Sequence, residues 1–160
     1  MVAMAKGTRA IDELRRLGID FVVHEYEVGE FDSSYGEAVA VGLKVAPERL
    51  FKTLVAQVDG RPVVGIVPVS GRLSLKNLAR AAGGKRAVMA EAADAQRLTG
   101  YMVGGISPIG QTRRLPMVVD AGVHHHATVF VSAGQRGLQL EIAPDDLIMV
   151  TEATVADIGG

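Results

Sequence analysis

Hydrophobic positions in the first part of the chain follow a helical period and then an extended one. Apolar residues recur at helical spacing over 8–17 with charged residues between them, and Gly18 follows as a stop signal, so an amphipathic helix is predicted. Residues 20–26 are rich in β-branched and aromatic side chains, which favours a strand. Residues 34–37 have the S-x-x-E form of a capping box, and they predict a short helix that runs to Leu43.

Two long apolar runs in the middle of the chain predict a β-hairpin. They cover 50–58 and 62–69, and Asp59-Gly60 between them supplies turn chemistry. The second run is apolar at successive positions, which indicates a strand buried on both faces. Further along, the pattern predicts helices over 74–82 and 91–98, strands over 86–89, 117–120, 127–132 and 138–142, and a last helix that starts at Pro144.

Interleaved helices and hairpins of this kind favour an α+β domain with a mixed sheet over a strictly alternating βαβ fold. A length of 160 residues fits one domain, and no repeat or linker divides the chain, so a single domain over 1–160 is predicted. Residues 100–110 contain four glycines and Pro108, and this composition predicts a loop.

Composition and charge narrow the classes of function. A formal net charge of -1 predicts no broad cationic surface, so any contact with nucleic acid must be local. The absence of Cys excludes disulfides, thiolate metal sites and a Cys nucleophile. No apolar run approaches the roughly 20 residues that span a bilayer, so a soluble, cytoplasmic protein without a membrane partner is expected. No cofactor or metal is expected either.

Lys52 is the most informative single residue. In a strand that starts near Phe51, alternation places Lys52 on the face of Leu54, Ala56 and Val58, so an ammonium stands at the end of an apolar row. One interpretation is a strand-end lysine whose charge reaches solvent past an apolar stem. The other is a cation at the rim of an apolar pocket, placed to meet a phosphate or carboxylate.

The loop Gly104-Gly105-Ile106-Ser107-Pro108 is the second candidate. Its glycines permit close backbone approach, and its amides can converge on an oxyanion or phosphate; the alternative is an ordinary tight connection. Arg113-Arg114 is well placed for a phosphate if the loop holds a ligand. The P-loop spacing of 105–110 is rejected, because Gln111 occupies the lysine position and Pro116 would break the required helix.

The sequence gives only weak support for a catalytic or metal-binding role of the histidines. Three successive side chains at 124–126 cannot converge on a metal from a strand, so a solvated loop is predicted there. His24 has no clear Ser and Asp companions, which favours a hydrogen-bonded structural role over that of a general base. Without a recognisable nucleophile, an enzyme of this kind would supply positioning and electrostatics while the nucleophile came from substrate or water.

Four segments form an ordered set along the chain: FVVHEY at 21–26, FKTL at 51–54, TGYMVGGISP at 99–108 and SAGQRGL at 132–138. Together they closely resemble the YbaK family, also called prolyl-tRNA-synthetase-associated editing domains. The resemblance extends over roughly 8–158. It is similar in particular to the free-standing bacterial members that deacylate Cys-tRNA(Pro). It implies one α+β domain with a barrel-like mixed sheet and surrounding helices.

The resemblance also implies an activity, the removal of a wrongly attached amino acid from tRNA(Pro). In the family the substrate's own cysteine thiol attacks its carbonyl and leaves as a cyclic thiolactone. Lys52 would engage the terminal phosphate or ribose, and Tyr26 and Gly104 would shape the aminoacyl site, so these three are the implied catalytic residues. The implied substrate-binding residues are Tyr35, Thr53, Gly105, Ile106, Ser107, Pro108, Ser132 and Gln139.

Three points stay open at this stage. Gln139 stands where the resemblance leads us to expect an Asp; it can orient the substrate amine by hydrogen bonding, or it can simply face solvent with Glu141. The substrate can be another aminoacyl-tRNA(Pro), such as Ala, and the domain can be a non-catalytic module that binds an acceptor end or nucleotide. The expected partners are the acceptor end of an aminoacyl-tRNA and prolyl-tRNA synthetase.

Overall fold

The computed structural model describes residues 7–26 and 35–160, without the side chains of residues 35–38. Within these residues there are five α-helices and eight β-strands. The helices are α1 (Arg9–Leu17), α2 (Tyr35–Leu43), α3 (Leu75–Ala81), α4 (Ala92–Thr99) and α5 (Pro144–Thr151). The strands are β1 (Val22–Glu25), β2 (Phe51–Val58), β3 (Arg61–Pro68), β4 (Ala87–Met89), β5 (Met117–Asp120), β6 (Val129–Ser132), β7 (Leu138–Ile142) and β8 (Thr154–Ala156).

The strands form two sheets. One has the order β1-β7-β6 and is antiparallel, and the other has the order β4-β2-β3-β5-β8. In the larger sheet β2 pairs antiparallel with β3 and β4, whereas β3, β5 and β8 run parallel, so the sheet is mixed. A single parallel bridge between Leu50 and Phe130 joins the two sheets. The predicted α+β class with a mixed sheet is confirmed.

Local signals in the sequence account for most element boundaries. The Thr8 hydroxyl accepts a hydrogen bond from the Ile11 amide at 3.1 Å and caps α1, which ends at Gly18 with a φ of 70°. The β2–β3 hairpin turns at Asp59 and Gly60, whose φ angles of 50° and 84° are those of a type I′ turn. Both elements lie where the pattern predicts them.

The larger sheet is covered on both faces. On one face α3 packs over a cluster that includes Ala56, Leu78 and Ile158. On the other face the smaller sheet and α1 enclose the main core, to which Ile11 and Leu140 contribute. The middle of β3 is buried on both sides, as predicted from its unbroken apolar run.

The structure differs from the predicted elements at the C-terminus and at the histidine run. The short strand β8 was not predicted, because three residues at the sheet edge carry no periodic signal. A 3₁₀-helix at Ala121–His125 occupies part of the expected loop. Residues 111–116 contain no helix, in agreement with the rejection of a P-loop. The capping-box residue Ser34 lies outside the described residues. Among the residues that are described, no helix is long and apolar enough to cross a membrane.

Candidate active site

A cavity of about 380 Å³ opens beside the edge of β2, and residues of both sheets line it. Next to Leu50, the chain leading into β2 bridges β6 at Phe130, whereas β4 covers β2 only from Ala56 to Val58. The stretch between these contacts pairs with β3 on one edge, and no described strand pairs with its other edge. The apolar walls of the cavity include Val39, Leu50, Phe51, Leu54, Val55, Val69, Met89, Ala90 and Val103.

Thr53 lies at the centre of this uncovered edge. The Val55 carbonyl points outward from the hairpin and accepts a hydrogen bond from the Ala90 amide at 3.0 Å. Because alternate residues of an antiparallel strand direct their backbone groups to the same side, the Thr53 N–H and C=O point into the gap as well. The cavity therefore has peptide groups as well as side chains on its β2 wall.

Lys52 borders the cavity and is partly buried. Burial lowers the pKa of its ammonium, and the nearby positive charge of Arg72 lowers it further. Within the described residues no carboxylate pairs with Lys52. An unpaired, partly desolvated cation favours an anionic ligand, because such a ligand restores the electrostatic stabilisation that burial removes. The neighbouring Arg72 was missed by the sequence analysis, since nothing in its local pattern marks it.

Two buried polar side chains in the cavity wall lack hydrogen-bond partners among the described residues. Thr53 is 9% exposed and Gln139 is 4% exposed, and the atoms concerned are Thr53 Oγ1 and Gln139 Oε1. An unsatisfied buried polar group costs about 1–3 kcal/mol, so this pair indicates a place that a ligand or water completes. The alternative that Gln139 faces solvent is wrong, because β7 turns this side chain toward the cavity.

Ser132 lies next to these two groups and also lines the cavity. It is the register partner of Gln139 across β6 and β7, so both side chains stand on one face of the smaller sheet. The Ser132 hydroxyl accepts a hydrogen bond from the Gly134 amide at 3.1 Å. It is therefore oriented by its own turn and presents a further polar contact to the cavity.

The glycine loop supplies the opposite wall through Gly104 and Ile106. Gly104 has a φ of 95°, a conformation that favours glycine, and neither its amide nor that of Ile106 donates to another described residue. The Gly105 amide, in contrast, donates to the Met102 carbonyl at 2.9 Å. Two amides of the loop are thus available as donors to a ligand, and the Gly105 amide is not.

The rest of the predicted loop faces away from this cavity. Ser107 is fully buried, and its hydroxyl accepts a hydrogen bond from the Ile109 amide at 3.2 Å. Pro108 borders a second cavity on the other side of the loop. Neither residue, and not Gly105, lines the cavity that holds Lys52. The glycine at 105 is explained by packing, since an added Cβ would lie 3.0–3.1 Å from the backbone of Gln135 and Arg136.

The two tyrosines that were predicted to belong to the site, Tyr26 and Tyr35, have different outcomes. Tyr26 packs against a cluster of Val39, Ala40, Leu50 and Phe130, two of whose members line the cavity, but it does not itself line it. The side chain of Tyr35 lies outside the described residues, so its predicted role stays a prediction.

His24 belongs to a separate polar network on the smaller sheet. Its Nε2 lies 2.9 Å from Glu141 Oε1, while the Thr128 hydroxyl donates to Glu141 Oε2 at 2.6 Å and Arg49 lies 3.5 Å from the same oxygen. The Thr128 hydrogen bond, followed by His24 and Arg49, holds the pKa of Glu141 below its usual range against the opposing effect of burial. This hydrogen-bonded histidine does not border the cavity, in line with the structural role predicted for it.

The lining residues of the cavity therefore combine one cation, hydroxyl and amide groups and apolar walls. None of the described lining residues is a cysteine, a histidine or a carboxylate. In the part of the chain that the structure describes, no three His, Cys, Asp or Glu side chains are grouped closely enough to hold a metal ion. The arrangement can bind and polarise an anionic, acylated ligand, but its described residues offer no nucleophile paired with a base.

The fold is that of an aminoacyl-tRNA editing domain. The model of that family matches residues 33–150, so the chain belongs to the family, and the resemblance seen in the sequence is confirmed. The chain is 34% identical over 152 residues to an Enterococcus faecalis protein named "Putative Cys-tRNA(Pro)/Cys-tRNA(Cys) deacylase EbsC", with 94% of this chain and 92% of that protein covered.

Two further similarities connect the chain with prolyl-tRNA synthetases. A proline–tRNA ligase of Streptococcus suis is 26% identical over 106 residues, which are 66% of this chain and 17% of the ligase. A solved structure described as "a putative trans-editing enzyme for prolyl tRNA synthetase" has the same fold, with a TM-score of 0.81 at 24% identity over 95% of both chains.

Proposed function

We propose that this protein is an aminoacyl-tRNA deacylase that removes Cys from mischarged Cys-tRNA(Pro). The observation that carries the proposal is the cavity itself: an apolar pocket in which, among the described residues, Lys52 has no carboxylate partner, two buried polar atoms have no hydrogen-bond partner and no nucleophile is paired with a base. The relative with the Cys-tRNA(Pro)/Cys-tRNA(Cys) deacylase name supports the choice of substrate. The near-neutral chain suits a site that binds only the acceptor end.

In this proposal Lys52, the loop amides and Gln139 have binding roles. The Lys52 ammonium pairs with the phosphate of the terminal nucleotide. The amides of Gly104 and Ile106 donate to the ester carbonyl oxygen, on which negative charge develops during cleavage. Gln139 Oε1 accepts a hydrogen bond from the ammonium of the amino acid, so a neutral carboxamide does the work of the expected Asp.

The substrate supplies the nucleophile. Its thiol sulfur bonds to the ester carbonyl carbon, the bond from that carbon to the ribose oxygen breaks, and the thiol proton ends on the released ribose hydroxyl. The products are a cyclic thiolactone and uncharged tRNA. The protein contributes orientation of the thiol against the carbonyl and stabilisation of the oxyanion, which suit a site whose described residues include no triad.

The proposal also includes a partner protein and a cellular compartment for the reaction. The similarity to part of a proline–tRNA ligase supports prolyl-tRNA synthetase as the partner that holds the remainder of the tRNA. The reaction is then cytoplasmic and closely follows mischarging.

A deacylation panel tests the proposal. We expect wild-type protein to release Cys from Cys-tRNA(Pro) far faster than Ala or Ser from the corresponding esters, since neither of these carries a thiol. Lys52→Met keeps the apolar stem and removes the charge, so kcat/KM for the Cys ester should fall about 10- to 100-fold, the value of a charge-assisted hydrogen bond. Lys76→Met, at an exposed lysine of α3, is the matched control and should behave as wild type.

The panel also separates the alternatives. Preferred turnover of Ala-tRNA(Pro) would assign the same site to another amino acid and exclude thiol assistance. Binding of the acceptor end without turnover of any ester would support a non-catalytic module. Equal deacylation rates in Lys52→Met and Lys76→Met would show that Lys52 does not act in the site.

A further inference from the structure

A second cavity, of about 340 Å³, lies on the other side of the glycine loop. Its walls come from α1, from the segment between Pro108 and Leu115 and from the end of α5. Four arginines line it, together with two carboxylates: Arg9, Arg16, Arg113, Arg114, Asp12 and Glu13. In a chain of net charge -1 this is the local cationic surface that a nucleic-acid contact would require.

The arginines are engaged to different degrees. Arg16 pairs with Glu13 at 2.8 Å, and Arg114 pairs with Glu152. The Arg9 Nε donates to the Gly110 carbonyl at 2.8 Å, which leaves its terminal nitrogens available. Arg113 is exposed and has no hydrogen-bond or ion-pair partner among the described residues. A phosphate in this cavity would therefore meet Arg113 without first breaking an internal ion pair.

Gln111 adds a polar contact of a different kind. Its Nε2 donates to the Ser107 carbonyl at 2.9 Å, whereas its Oε1 is buried and has no donor within the described residues. A phosphate has no N–H to offer this oxygen, but a nucleobase has. A ligand that satisfies both the arginines and Gln111 combines a phosphate with an N–H donor, which is the chemistry of a nucleotide.

The two cavities are close along the chain. Ile106 lines the first and Pro108 the second, and two peptide units span at most about 7.6 Å between Cα atoms. The walls of the two cavities therefore meet at the loop, on its two sides.

We propose that the second cavity binds a nucleotide of the same RNA strand whose acylated end enters the first cavity. Arg113, with Arg9 beside it, holds the phosphate, and Gln111 Oε1 accepts a hydrogen bond from the base. This inference rests on the proposed function and names a second point of contact for the substrate. It also gives Arg113, of the pair Arg113-Arg114, the phosphate role that the position beside the loop suggests.

Binding of uncharged RNA tests the inference without any deacylation. The probe is a fluorescein-labelled RNA hairpin that ends in CCA, titrated by fluorescence anisotropy at several salt concentrations. Arg113→Gln should weaken binding about three- to tenfold and make the slope of log K against log salt shallower by about 0.7, the value of one single-strand phosphate contact. Arg61→Gln, at an exposed arginine in the β2–β3 hairpin, removes the same charge and should change neither quantity.

A second measurement locates the contact. In a ¹⁵N NMR spectrum of the wild-type protein, the side-chain amide of Gln111 and the backbone amide of Arg113 should shift on addition of the hairpin. Equal losses in Arg113→Gln and Arg61→Gln, or an unmoved Gln111 resonance, would overturn the inference. So would binding of AMP or CMP alone as tightly as the hairpin, since the site would then serve a free nucleotide.

Discussion

At the scale of single residues, we expect Gln139 to lower the stability of the fold and to contribute to substrate binding. Its side chain is buried in the cavity wall while Oε1 has no donor within the described residues. Gln139→Leu removes this unsatisfied atom at similar volume, so the free energy of unfolding should rise by about 1 kcal/mol. The KM for Cys-tRNA(Pro) should rise at the same time, because the contact with the substrate ammonium is lost. Thermal denaturation and steady-state deacylation measure the two effects.

The comparison variant for Gln139 is Gln139→Glu, which keeps an acceptor at the same reach. It should retain more of the substrate affinity than Gln139→Leu. A Leu variant that is less stable than wild type would show that the carboxamide has a structural partner instead.

The pKa of Glu141 is a second prediction at this scale. The Thr128 hydroxyl is the main cause of the lowered value, so Thr128→Val should raise the pKa of the Glu141 carboxyl toward that of free glutamate. A ¹³C NMR titration of this carboxyl measures the shift directly. The direction also fixes the effect on stability: the stabilisation is present above the unfolded pKa and is lost as the pH falls through the folded value.

Denaturation between pH 5 and pH 3 provides the matching stability test. Glu141→Gln should lose less stability than wild type over this range, because it carries no carboxylate to protonate. Parallel stability curves for the two proteins would contradict the assigned cause.

At the scale of elements, the glycine loop depends on the β6–β7 turn. A Cβ at Gly105 would lie 3.0–3.1 Å from backbone atoms of Gln135 and Arg136, which cannot rotate away as a side chain does. Gly105→Ala should therefore destabilise the protein by about 1–3 kcal/mol and displace the loop from the cavity. Gly71→Ala is the control, because nothing lies within 4 Å of its added Cβ, and its stability should match that of wild type. Urea denaturation distinguishes the two, and an equally mild loss at both positions would refute the packing argument.

Comparison of the predicted and observed elements shows which sequence signals were sufficient to predict a helix, a hairpin or a loop. The helix α1 was predicted from periodic apolar residues and the stop signal Gly18, and the β2–β3 hairpin from two apolar runs and a turn dipeptide. The loop at 104–108 was recognised, but its glycines were assigned to a ligand as a group. In the structure Gly104 borders the cavity, whereas Gly105 packs against protein backbone. Local sequence does not distinguish these roles, since both need only a missing side chain.

At the scale of the whole molecule, the site depends on how two sheets meet. Thr53 and Lys52 come from the larger sheet, while Ser132 and Gln139 come from the smaller one. They share a cavity because β4 is short and leaves part of the β2 edge uncovered. Neither the length of β4 nor the bridge between the sheets has a local signature in the sequence, so the cavity could not be drawn from the pattern alone.

By itself the sequence determined the α+β class, most of the helices and strands, the absence of a cysteine nucleophile and the family to which the chain belongs. These properties depend on local periodicity, caps and residue identity, all of which are present in the chain before it folds. Only the tertiary structure decided that Gln139 is buried, that Ser107 and Pro108 face away from Lys52, and that a second, arginine-lined cavity lies behind the loop. The physical reason is that burial and cavities arise from contacts between residues distant in the chain, for which no single segment carries a signal.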